Sequence, residues 1–336
     1  MWNNWKKTFV LVIITSMFII LALGCGNQET PKEDSGASSY PLRPITIIEP
    51  WGAQSWGFLQ AQELAEALEP ILGVRVLVEA KPGGASSVGT KYVADARPDG
   101  YTLLHGWVAG LVQVPLLEED PGYDVFEDFE LLCYFAESPV VAITKSDAPW
   151  NTVAEFIDYV KANPDRRFGF SGGPALSVHS IFGGQIFADA GIDVTGVWYD
   201  DAAAAGAAMI AGDVDVAFDS FASLERYGDQ VKAIGVLSDE RYAGFEDVPT
   251  IKEQGVQAPT VPSWGAMLAP KGLPDEVRDK LNDALKQVIG SKEFQDRIFN
   301  NMKWYVKYKD GEELKAFIKD NMEQMKIPIE RVKAEQ

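Results

Sequence analysis

Two short glycine-bearing loops carry the residues best suited to gripping a small molecule. The first, "GAQSWGF" at 52–58, follows Trp51 and offers an amide, a hydroxyl and an indole in Gln54, Ser55 and Trp56. The second, "PGGASS" at 82–87, places Gly83 and Gly84 just ahead of Ser86 and Ser87. Glycine has no Cβ, so backbone N–H groups can come close to a ligand there. Each loop runs into a helical pattern, and the first N–H groups of a helix lack intrahelical partners and sit at the positive end of its dipole. Anions bind at such places. Serine is also a preferred N-cap, so the same residues suit a capped helix after a tight turn.

A second set of polar residues lies further along the chain. Ser177 and His179 flank Val178 at another helix start, with Ser171 closing the strand before it. Two positions apart on a helix, side chains point about 200° apart, so this serine and histidine do not preset a nucleophile and its base. Ser177 suits an N-cap or a hydroxyl contact, and His179 a packing or hydrogen-bonding role. Tyr199, Asp200 and Asp219 fall at strand ends, and either Asp200 or Asp201 can cap the alanine-rich helix that follows. Three carboxylates beside a cleft would repel a polyanion and attract an ammonium or hydroxyl groups. Trp51, Trp56, Trp107, Trp198 and Trp264 are expected in or near loops on the cleft side, where a pair facing inward would stack on a flat ligand. The chain holds 2 histidines and 2 cysteines, with no H-E-x-x-H and no Cys/His cluster. Neither an enzyme's constellation, nor a metal site, nor a cofactor is expected.

The elements that carry these residues repeat one unit: a short β-rich run, a turn with Gly or Ser, then a helix. "PITIIEP" leads through the first loop to a segment in which Ala61, Leu64, Ala65 and Leu68 form one apolar stripe. "VRVLVEA" leads through "KPGGASS" to "VGTKYVADA", and "RFGFS" leads through "GGPALS" to "VHSIFGGQIFADAG". "VTGVWYD" enters "DAAAAGAAMIAG", followed by the strand "DVDVAFD". Such alternation predicts α/β lobes with largely parallel sheets, in which ligands sit outside the carboxyl ends of the strands.

The N-terminus reads as an export signal: Lys6 and Lys7, an apolar run at 9–23, then "ALGC" with Cys25. "ALGC" resembles a lipobox, which implies a lipoprotein signal at 1–24, lipid on Cys25 and attachment to a membrane from its outer side. Residues 26–40 are polar and aperiodic, so 25–40 reads as a flexible tether. With Cys25 acylated, Cys133 is the thiol that is left and no internal disulfide is expected. Lys and Arg number 30 against 49 Asp and Glu, a formal net charge of −19, which excludes a nucleic-acid partner. The roughly 300 residues that follow the tether suffice for two lobes.

From Tyr40 onward the order of motifs resembles the substrate-binding proteins of tripartite tricarboxylate transporters, the Bug family of periplasmic receptors. The matching stretches include "YPLRPITIIEPWGA", "KPGGASSVGTKYVADARPDGYTLL", "KANPDRRFGFSGGPALSVHSIF", "KAIGVLSDERYAGFEDVPTIKEQG" and "SWGAMLAPKGLPDEVRDKLNDALK". The resemblance implies a two-lobed periplasmic-binding-protein fold of type II-like form, with two crossing strands and a ligand cleft between lobes. Lobe 1 would be 41–140 and 261–336, and lobe 2 would be 141–260. It also implies that the loops at 52–58 and 82–87 grip a ligand carboxylate while lobe 2 closes over the far end. Two motifs depart from the family pattern. Where the first loop commonly reads P-G-G-G-T-D, this chain has Ala53 to Phe58, and where lobe 2 commonly has V-P-Y-x-G, it has "VWYDD".

The expected function is therefore a monomeric solute-binding lipoprotein that takes a small organic carboxylate and delivers it to membrane transporter subunits. The alternatives left open are a zwitterionic, polar or aromatic solute, a ligand sensor on the same fold, and, more remotely, a secreted hydrolase.

Overall fold

The computed structural model describes residues 40–335. The expected leader, Cys25 and nearly all of the tether lie outside the described residues. Strand β1 (Ile45–Glu49) is buried on both faces through Ile45, Ile47 and Ile48, as a strand inside a parallel arrangement must be. It pairs in parallel with β2 (Val76–Ala80) on one side and β3 (Thr102–Trp107) on the other. Between β1 and β2 runs helix α1 (Trp56–Leu72), whose Ala61, Leu64, Ala65 and Leu68 are all buried, as their spacing predicts. The Phe58 N–H donates to Ser55 Oγ at 3.1 Å to start α1, and Gly73 ends it in the left-handed conformation, φ 73°. Helix α2 (Ser87–Ala94) connects β2 to β3. After β3 the chain makes a π-helical turn at Ala109–Gln113 that runs into α3 (Val114–Leu117).

Two sheets result. The first has the order β11-β4-β10-β3-β1-β2, with β4 (Phe129–Ser138), β10 (Ser263–Pro270) and β11 (Tyr305–Asp310) completing it. The second has the order β7-β6-β8-β5-β9, from β5 (Val140–Lys145), β6 (Gly169–Ser171), β7 (Thr195–Gly196), β8 (Val216–Asp219) and β9 (Val231–Leu237). The second lobe also holds α4 (Val153–Ala162), α5 (Val178–Asp189), α6 (Ala202–Ala211) and α7 (Ala222–Tyr227). The first receives α8 (Asp275–Ile289) and α9 (Lys292–Met302), and the last helix is α10 (Gly311–Glu335).

The sheets are mixed rather than largely parallel. β1 with β2 and β3, and β6 with β7 and β8, are parallel, whereas β10 with β3 and β4, β11 with β4, and β5 with β8 and β9 are antiparallel. The cause is the crossing between lobes. β4 passes through Pro139 straight into β5 of the other sheet, and the returning chain enters β10 alongside it, Ser263 opposite Ser138. An outgoing and a returning segment that lie side by side must be antiparallel.

Trp264, expected near a loop, lies in β10 and is fully buried; its Nε1–H donates to Asn321 Oδ1 at 2.8 Å, and its ring stacks on Tyr134 at 5.9 Å. It anchors α10 to the first sheet. Further along, Arg331 of α10 pairs with Asp189 of α5 at 3.0 Å, so this helix touches both lobes. Trp198 is also not where the sequence suggests: it is 49% exposed beyond the short edge strand β7, edge-on to Phe170, and lines a separate hollow with Pro328 and Arg331. Among the described residues Cys133 is a buried free thiol, and no helix is long and apolar enough to cross a membrane.

Candidate functional site

A cavity of 180 Å³ opens between the lobes at the ends of β1, β3 and β6. The first lobe contributes Trp51, Trp107, Val108, Ala109 and Gln113 to its wall, and Ser263 stands at the crossing. The second contributes Gly172 and Pro174, the first residues of α5 with Ser177 before them, and Asp200, Asp201 and Ala202 at the start of α6.

The first-lobe wall is held from behind by a buried carboxyl group. Glu49, the last residue of β1, is fully buried; it shares a 2.7 Å hydrogen bond with His105 Nδ1 and accepts from Trp107 Nε1–H at 2.9 Å. The backbone N–H of Trp51 also bonds to it. Burial pushes the Glu49 carboxyl above its ordinary range, against the pull of these donors. Its effect is positional, because one carboxyl group fixes both Trp51 and Trp107 at the wall. Gly57 is needed for this: a Cβ there would lie 2.5 Å from Trp107 and 2.6 Å from Glu49 Oε1.

The second loop is tightly folded, with Ser86 packed against the π-helical turn. Gly83, Gly84, Ala85 and Ser86 all have positive φ, at 136°, 54°, 49° and 76°, and for Ala85 and Ser86 that is backbone strain. Ser86 is fully buried, with no partner for Oγ among the described residues, and it lies against Gly110 of the π-turn, where an added Cβ would meet Ser86 Oγ at 2.6 Å.

On the second lobe, Ser177 caps α5: the Ser180 N–H donates to Ser177 Oγ at 3.1 Å, and Ser177 Oγ–H donates to the Gly172 carbonyl at 2.9 Å. Its other recorded partner is Ser180 Oγ, at 3.2 Å. Ser177 is therefore engaged away from His179, whose pKa burial pushes down to about 4 and whose Nε2 has no partner among the described residues. Asp201 caps α6 by accepting from the Ala204 N–H at 2.8 Å, which leaves Asp200 free of that task. Asp219 at the end of β8 is 3% exposed; Oδ1 accepts from the Ser220 N–H at 2.7 Å, and Oδ2 has no partner among the described residues. Burial pushes Asp219 up to about 6, with Ser220 and Arg226 opposing and Asp201 adding to the rise.

Of the residues singled out from sequence, Trp51, Trp107, Ser177, His179, Asp200 and Asp201 share this cavity. Gln54 is exposed, Ser55 caps α1, Trp56 lies under Arg226, and Gly83, Gly84, Ser86 and Ser87 are not among the residues lining the cavity, the two glycines being exposed and Ser86 buried. Ser171 Oγ accepts from the Gly173 N–H at 3.2 Å, the Tyr199 N–H donates to the Gly173 carbonyl at 3.1 Å, and Asp219 is outside the lining but feels the charge of Asp201.

Two important residues were not foreseen. Gln113, fully buried, has its two terminal amide atoms 3.2 Å from the Leu176 carbonyl and the Val178 N–H; assigned from these neighbours, its NH2 donates to the carbonyl and its oxygen accepts from the N–H, which ties the π-turn of one lobe to the start of α5 in the other. It is one polar residue in the apolar run "VAGLVQVPLL", and that isolation was the available signal. Glu49 closes an apolar strand and reads from sequence as the start of a turn.

The chain matches the model of the tripartite tricarboxylate transporter family receptor over residues 60–333. It is 32% identical over 269 residues to a UPF0065 protein of Bordetella pertussis, covering 79% of this chain and 82% of that one. Among solved structures, the periplasmic binding protein BugD is 30% identical with a TM-score of 0.76, covering 87% of this chain and 98% of that one. The malate-bound MatC of Rhodopseudomonas palustris is 23% identical with a TM-score of 0.75, covering 86% and 100%, a likeness of fold. With two lobes, crossing strands and a cleft walled from both sides, this chain belongs to the tripartite tricarboxylate transporter receptor family of periplasmic solute-binding proteins.

Proposed function

We propose that this protein is a lipid-anchored receptor outside the cell membrane that captures a small organic carboxylate between its lobes and delivers it to the membrane subunits of a tripartite tricarboxylate-type transporter. The observation that carries this reading is the 180 Å³ cavity walled by both lobes, across which Gln113 is hydrogen-bonded to backbone at the start of α5. A molecule there touches both lobes, so its extra affinity for the closed arrangement favours closure. Malate bound in MatC, a protein of the same fold, agrees with a carboxylate.

The carboxylate end suits the start of α5. Gln113 takes the Val178 N–H and Ser177 takes that of Ser180, which leaves the N–H of His179, a residue with no acceptor inside the first turn, at the positive end of the helix. Ser177 is engaged with Gly172 and Ser180 instead of an imidazole, so it is not set up as an activated nucleophile, which supports a binding role. Anchoring would come from lipid on Cys25, and Cys25→Ser should release the protein from the membrane fraction or leave its precursor unprocessed.

Mass spectrometry of small molecules released from protein purified without refolding tests the main reading. A carboxylate that binds at one site per chain, reduces the radius of gyration, and binds more weakly to Trp51→Ala and Ser177→Ala is the expected result. A ligand indifferent to both substitutions would place the site elsewhere.

A further inference from the structure

Asp200 and Asp201 both line the cavity, and among its described lining residues there is neither lysine nor arginine. Asp219, outside the lining and 3% exposed, has an Oδ2 without a partner among the described residues and feels the charge of Asp201. His179, in the same wall, has a buried and unpartnered Nε2. With its pKa near 4 it is neutral at pH 7, so it does not offset these carboxylates. Arg226 acts on Asp219, but it lies over the Trp56 ring, and neither is part of the lining. The acidic residues of this cavity therefore have no lysine or arginine beside them within the wall.

We infer that the solute carries a cationic nitrogen at the end remote from its carboxylate, and that Asp200 and Asp201 receive it. This rests on the carboxylate-receptor reading above and narrows it. A dianion here would bring its second charge up to two carboxylates that are themselves exposed to solvent, whereas an ammonium would be drawn to them. The indoles of Trp51 and Trp107 on the facing wall favour an organic cation over a hydrated metal ion. Among the described residues no group of three His, Cys, Asp or Glu side chains is placed to hold a metal ion. The cavity has room for about six waters at about 30 Å³ each, which fits a short chain with a charge at each end.

Three probes of equal length that differ at one end make the test: pentanoate, glutarate and 5-aminopentanoate, within a wider thermal-shift screen of carboxylates paired with and without an amine. In calorimetry 5-aminopentanoate should bind about tenfold more tightly than pentanoate, and glutarate most weakly. Asp201→Asn and Asp200→Asn should each reduce that preference, and the double variant should abolish it. Asparagine caps a helix about as well as aspartate, so Asp201→Asn removes charge while keeping the start of α6. If carboxylates bind in a Ser177-dependent manner but those lacking the amine bind as well or better, the cation inference is overturned and the receptor reading stands. If no carboxylate of either kind stabilises the protein, both fall.

Discussion

Arg226 of α7 lies over the indole of Trp56 at the first residue of α1, its guanidinium carbon 4.9 Å from the ring centroid, and so joins the second lobe to the first. The preceding residue does the same in another way: Glu225 Oε1 is 2.8 Å from Lys303 Nζ, at the end of α9. Two consecutive residues of one short helix thus reach to two different elements of the opposite lobe. The indole that the sequence offered as a stacking platform for ligand is occupied by the protein's own cation.

Because Arg226 is exposed, this contact is worth only about 0.5–1 kcal/mol, but it acts on the balance between open and closed lobes. Arg226→Ala should enlarge the ligand-free radius of gyration in small-angle scattering and weaken binding up to about fivefold. Scattering curves that superimpose with those of the wild type would show that α7 does not hold the lobes together.

Two buried groups push stability in opposite directions as pH changes. Asp219 has its pKa raised to about 6, so the folded protein holds its proton longer than the unfolded chain, and stability is lost as pH rises between roughly 4 and 6. At about 1.4 kcal/mol per unit the loss is of the order of 3 kcal/mol. His179 has its pKa lowered to about 4, so the folded protein binds its proton less readily, and stability is lost as pH falls through the same window. Relative to wild type, Asp219→Asn should therefore gain stability on going from pH 4 to pH 6, and His179→Gln should lose it. Chemical denaturation at closely spaced pH values measures both difference curves; two curves of the same sign would contradict the assignment.

Gly57→Ala tests whether the Glu49 cluster shapes the cavity. Its Cβ would fall within 2.6 Å of both Trp107 and Glu49, so α1 or the indole must move. A loss of about 1–3 kcal/mol of stability is expected, with weaker ligand binding through a displaced Trp107. Unchanged stability and affinity would mean that the wall does not depend on this packing.

The repeated strand, turn and helix were legible because periodicity is local. The stripe Ala61, Leu64, Ala65 and Leu68 could face only one way, and Ser177 and Asp201 cap the helices their positions suggest. Strand direction was not legible, since whether β10 runs parallel or antiparallel to its neighbours depends on where the chain crosses between lobes, a long-range fact. Nor was the depth of each polar residue. Ser86 and Asp200 look alike in sequence as polar groups beside a helix, yet one is packed against Gly110 and the other lines the cavity. Of the tryptophans, Trp51 and Trp107 do line the cavity, but an indole near a turn can equally be core, like Trp264, or surface, like Trp198.

Gln113 separates a cavity formed by closure from one present in either lobe alone. Its amide takes the Val178 N–H and the Leu176 carbonyl across the cleft, both at 3.2 Å, and the side chain is fully buried. In an open arrangement the amide and both backbone groups would be hydrated, so the bonds contribute only to the closed state. Replacing Gln113 by leucine keeps the volume but leaves two backbone groups unpaired on closure, at a cost of about 1–3 kcal/mol. Global stability, if measured on an open, ligand-free protein, should be nearly unchanged, while affinity should fall by about tenfold or more, since every 1.4 kcal/mol is a factor of ten. Glutamate at the same position would also fail, because it could accept from Val178 but would face the Leu176 carbonyl with an oxygen. Calorimetric titration beside thermal unfolding distinguishes these outcomes: a large loss of stability with unchanged affinity would mean that Gln113 belongs to a permanent interface and that the lobes do not part there.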